Sequence, residues 1–107
     1  MIQRASQFAK RPSIIVLSLL SPVTVGNELR VEVLSGLSVD VLRISDSLGN
    51  TFYKNGHVWR ALISKSGIEH ISVTIGSPGD VLVKAEEWPS ERDFERENIH
   101  EIIGYDS

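Results

Sequence analysis

From Ile14 to Trp88 the chain is written as short runs in which β-branched and other apolar residues alternate with polar ones, each run closed by a turn signal. None of the connections between the runs carries the helical period of about 3.6 residues. Parallel strands need long crossover connections, commonly helical, so these strands have to pair antiparallel. A sheet with one apolar face must bury that face, and two sheets packed together do so at once. The pattern therefore predicts an all-β, two-sheet antiparallel sandwich of about seven strands, with a small closed barrel as the rival closure.

The runs are SIIVLSL, ELRVEVLS, VDVLRISD, TFYK, VWRALIS, IEHISVTI and VLVKAEEW. In the second, Leu29, Val31 and Val33 alternate with Arg30 and Glu32, one face for a core and one for water. The third changes phase: Leu42 and Ile44 share one parity, Val39 and Val41 the other, which predicts a bulge. Asp46 and Gly49-Asn50 predict a hairpin turn, and Asn55-Gly56 a second, tight one. Trp59, Ala61 and Ile63 are expected inside. Ile71, Val73 and Ile75 point in and His70, Ser72 and Thr74 out, while Val81, Val83 and Ala85 share a face of the last strand.

The two ends read differently. Residues 1–12 show no clean period and stop at Pro12, so they are expected as a basic N-terminal arm; residues 13–88 form the sandwich. In residues 89–107, Pro89 ends the last strand and Ser90-Glu91-Arg92-Asp93 resembles a capping box. Phe94, Ile99, Ile102 and Ile103 then make a thin apolar stripe, and Gly104 a stop, predicting a short acidic C-terminal α-helix and tail. The segment PSIIVLSLLSPVTVG has the outline of a secretory signal, but its apolar run is short and broken by Ser18, so a first strand is the preferred reading. No run approaches the roughly 20 apolar residues of a membrane-spanning helix, so no membrane span is expected. A cytoplasmic or virion setting is preferred to secretion.

The net charge of −3 over 107 residues hides an uneven distribution: +3 in residues 1–13, zero in residues 14–85 and −6 in residues 86–107. A balanced middle gives no electrostatic motive for nucleic acid, and no nucleic-acid partner is expected. The chain has no cysteine, which removes disulfides, thiolate metal sites and thiol nucleophiles from consideration.

The segments GNELRVEVLSG, VLRISDSLGNTF and GHVWRALISKSGIEHISVTI together resemble bacterial and viral immunoglobulin-like or filamin-like modules over residues 13–86. The likeness lies in turn grammar: a glycine-asparagine hairpin after the third strand, and a lysine-serine-glycine turn before a strongly alternating one. It implies an Ig-like sandwich. In those modules an aromatic residue often stands two positions after that turn glycine; here the position holds Glu69. Such domains serve as spacers, adhesive units and virion decorations, so the fold alone assigns no role.

His57, His70 and His100 lack metal-ligand spacing, and no serine sits in a nucleophile-elbow context. Glu86 and Glu87, adjacent on a strand, point to opposite faces and suit no shared acid–base task. Asp46, Asn50 and Asp80 are turn oxygens of a kind calcium uses, each with an ordinary turn-capping job. No metal or other cofactor is expected. The chain reads as a non-catalytic structural or interaction module, a self-associating component of a virion or surface assembly. Its partner-binding residues are expected at the ends: Arg4, Lys10 and Arg11 in the arm, and Trp88, Glu91, Phe94, Glu95, Ile102 and Tyr105 beyond the last strands. The alternative is a carbohydrate- or peptide-binding module using Tyr53, Trp88 or Tyr105.

Overall fold

A computed structural model describes residues 1–36 and 40–89. The chain runs β1 (Gln3–Ala9), β2 (Ile14–Ser18), β3 (Glu28–Leu34), β4 (Val41–Asp46), β5 (Tyr53–Asn55), β6 (Val58–Leu62), β7 (His70–Ile75) and β8 (Val81–Trp88). One sheet has five strands in the order β1-β8-β3-β6-β5, the other three in the order β2-β7-β4, and every pairing is antiparallel. This is a two-sheet sandwich of the broad immunoglobulin-like kind, not a closed barrel. All seven expected strands are present. The segment expected as a C-terminal helix, with Glu91, Phe94, Glu95, Ile102 and Tyr105, lies outside the described residues. Among those described, no helix is long and apolar enough to cross a membrane.

The residues expected as a basic arm contain a strand. β1 pairs along its whole length with β8, from Gln3 opposite Glu87 to Ala9 opposite Val81. Its inward positions are Gln3, Ala5, Gln7 and Ala9, of which only the two alanines pack on the core as apolar groups. At the margin of the sandwich, where β2 passes close by, a small side chain suffices. The apolar period that marks a central strand is therefore missing from the sequence.

The core lies between the sheets. Ile15 and Leu17 of β2 and Ile71, Val73 and Ile75 of β7 meet Leu29 and Val31 of β3, Ala61 of β6, and Val81, Val83 and Ala85 of β8. Burying each of the larger side chains contributes roughly 1.5–3 kcal/mol. Trp59 packs half-buried against this cluster. The phase change in β4 is a bulge: the register with β7 shifts between Val41 and Arg43. Val41 and Ile44 both pack on the core, while Leu42 is left 62% exposed. The extra residue turns two apolar positions of opposite parity onto one face.

Candidate functional site

The outer face of the five-stranded sheet carries its charges in cross-strand rows. Arg4 of β1 stands opposite Glu86 of β8, which stands opposite Arg30 of β3, which stands opposite Arg60 of β6. The next row holds Ser6, Lys84, Glu32 and Val58. Together they line a shallow hollow of about 680 Å³. Opposite charges meet at Arg4–Glu86, Glu86–Arg30 and Lys84–Glu32, which stabilises a sheet modestly, whereas Arg30 and Arg60 are like charges. Glu28 ties the arginines together: its Oε1 lies 2.6 Å from Arg30 Nε and 3.6 Å from Arg60 Nη1. The Arg30 guanidinium lies over the Trp88 ring, 4.7 Å from its centroid, and Trp88 Nε1 donates to Glu86 Oε1 at 3.2 Å. Trp88, expected as a partner anchor, is half-buried and covered on one face by its own sheet.

The basic residues expected to act together are placed apart. Arg4 belongs to the outer face, whereas Lys10 and Arg11 lie in the turn between β1 and β2. Arg11 has a left-handed backbone with φ 45°, and its N–H donates to Asp80 Oδ1 at 3.1 Å. One row of the outer face is apolar: Phe8, Leu82 and Leu34, with Phe8 53% exposed on the edge strand. Tyr53 lies exposed on β5, the opposite edge of the same sheet.

Two carboxyl groups that the alternation places inward are fully buried. Glu87 continues the inward parity of Val81, Val83 and Ala85 and is 0% exposed. Three N–H donors hold it: Gln3 Nε2 at 2.8 Å on Oε1, and Thr24 N at 3.0 Å and Asn27 Nδ2 at 2.8 Å on Oε2. Gln3 also bonds Ser21 through both its amide atoms, so the group clips β1, the β2–β3 loop and β8 together. Glu86 faces the other way, as its position in the strand requires.

Glu69 continues the inward parity of Ile71 and Val73 and is also 0% exposed. Asn50 Nδ2 bridges two acids, donating to Asp46 Oδ2 at 2.6 Å and to Glu69 Oε2 at 3.2 Å. Asn50 Oδ1 accepts from Ser64 N at 2.9 Å and Ser64 Oγ at 3.0 Å, and Asn50 N donates to Asp46 Oδ1 at 2.8 Å. Burial, then the hydrogen bond to Asp46 and its negative charge, push the Glu69 carboxyl up to about 8. The neutral form of Glu69 is therefore favoured at neutral pH, and the latch joins the end of β4, the β4–β5 and β6–β7 loops and the start of β7.

Of the oxygens considered for calcium, Asp46 and Asn50 meet in this latch, while Asp80 lies beyond the opposite end of β7. The Asn50 amide turns its nitrogen, not its oxygen, toward the acids. Among the described residues no three His, Cys, Asp or Glu side chains gather as a metal would need. On the outside of the smaller sheet, His70 Nδ1 and Ser18 Oγ lie 2.6 Å apart, as expected of directly opposed residues on β2 and β7. His70 is exposed, in agreement with the alternation.

No protein-family model, no curated protein and no solved structure matches this chain.

Proposed function

We propose that this chain is a non-catalytic structural module that works by associating with copies of itself. The observation that carries the reading is the state of its sheet edges. An open edge strand presents unpaired backbone groups and is a template for another chain. β5 is an edge of only three residues, and β4 carries a bulge, two devices that discourage pairing. β2 is five residues long. β1 is seven, with no proline, glycine or bulge within it and one charge, Arg4.

The polar clusters support a structural reading. The acids that could serve chemistry, Glu69 with Asp46, and Glu87, are spent on holding loops to strands. A small unit with one such edge suits repetition, as in a virion or surface layer.

Sedimentation equilibrium of the full chain over a wide concentration range tests this. A mass rising from one to two chains is the expected result; a single-chain mass at every concentration would contradict it. Ser6→Lys, which sets a charge on the middle of the edge, is expected to weaken association at least tenfold while leaving the fold intact.

A further inference from the structure

We infer that two copies pair β1 against β1, antiparallel about a two-fold axis through Ser6, joining the two five-stranded sheets into one of ten strands. The inference rests on the self-association proposed above and adds its geometry. A two-fold axis perpendicular to the sheet keeps outer face with outer face, so even-numbered residues of β1 must oppose even-numbered ones.

Few registers meet that condition, and their contacts differ. With Ser6 opposite itself, all seven residues of β1 are paired, and Arg4 stands opposite the partner's Phe8. The contact occurs twice by symmetry. Within its own sheet Arg4 already faces Glu86, and Phe8 already faces Leu82. Each guanidinium then lies between a carboxylate and an aromatic ring, and each exposed Phe8 lies between a leucine and an arginine stem. Shifting by two residues in one direction shortens the pairing to Ala5–Ala9 and carries Arg4 past its end, toward the partner's Lys10, a like charge. Shifting in the other shortens the pairing to Gln3–Gln7 and moves Phe8 past the end of it.

A second copy is the occupant because the edge is complementary to itself: its cation and its exposed ring stand equally far on either side of Ser6. A foreign strand of arbitrary sequence would have no reason to match this arrangement.

The chain has no cysteine, so single cysteines report the register cleanly. In the Ser6-centred pair the two Cα atoms at position 6 lie about 4.5–5.5 Å apart, within reach of a disulfide. Those at position 7 lie about 8 Å apart, beyond it. Under mild oxidation, Ser6→Cys is expected to give at least ten times more covalent dimer than Gln7→Cys. Mixing Arg4→Cys with Phe8→Cys is expected to give the mixed disulfide in preference to either homodimer, which guards against misfolding of one variant. If the native chain dimerises but neither preference is found, this register is wrong and self-association stands. If the native chain stays monomeric at every concentration, both fail.

Discussion

Glu69 and Glu87 are both buried, both inward by strand parity, and held in opposite ways. The partners of Glu87 are all N–H donors, so both of its carboxyl oxygens accept hydrogen bonds where it sits. Glu69 is buried beside an acid, and burial and that acid outweigh the shared Asn50 amide and the Ser47 hydroxyl 3.5 Å from its Oε1, so its neutral form is preferred, with its carboxyl pushed up to about 8. One substitution separates them. Glu87→Gln turns an amide nitrogen toward donors and is expected to cost about 2–3 kcal/mol in urea unfolding. Glu69→Gln mimics the protonated acid and is expected to be nearly neutral at pH 7. The native chain should also show a pH dependence that Glu69→Gln lacks. A carboxyl raised from 4.5 to about 8 on folding contributes its full stability below about pH 4.5. That contribution falls as pH rises toward 8 and is gone above it, a change on the order of a few kcal/mol. Thermal melts of both proteins from pH 4 to pH 9 measure the difference; equal slopes would remove Glu69 from the account.

At the scale of the element, sequence alternation located seven strands and the bulge in β4, because central strands advertise their inward faces with Val, Ile and Leu. Ile71 is such a position, and Ile71→Ala is expected to cost about 2–5 kcal/mol. The same rule was silent at β1, where inward positions carry Gln and Ala and the backbone ladder to β8 supplies the order. Carried one step further, the parity of Ile71 and Val73, and of Val83 and Ala85, places Glu69 and Glu87 inward, a step the sequence expectations do not include. What it could not show was that Asn50, or Gln3 and Asn27, would arrive from distant segments to satisfy them. The partner surface was sought in the charged ends; in the structure Arg4 belongs to a sheet, and Trp88 is engaged by Arg30 and Glu86. Turn chemistry was legible, in that Asp46 caps the turn to Asn50 and Gly49 takes φ 75° there, but the hairpin expected at this turn is a crossing between sheets: β4 pairs with β7 and β5 with β6.

For the whole molecule, the charges on the outer face of the larger sheet are of mixed sign, and the proposed role rests on the difference between the sheet edges. Among the described residues two edges are blunted and one is short, whereas β1 is long and unbroken, with its outward cation and ring evenly spaced about Ser6. Salt should affect association weakly, because the inferred contacts are backbone pairing and arginine on phenylalanine, not pairs of opposite charge. In a β1-to-β1 dimer the open side of β1 is covered in solution. Amide hydrogen exchange from Arg4 to Phe8, followed against protein concentration, reports this residue by residue. Protection of every amide in the concentrated protein, with alternate ones losing it on dilution, is the expected result. Fast exchange of alternate amides at all concentrations would contradict it.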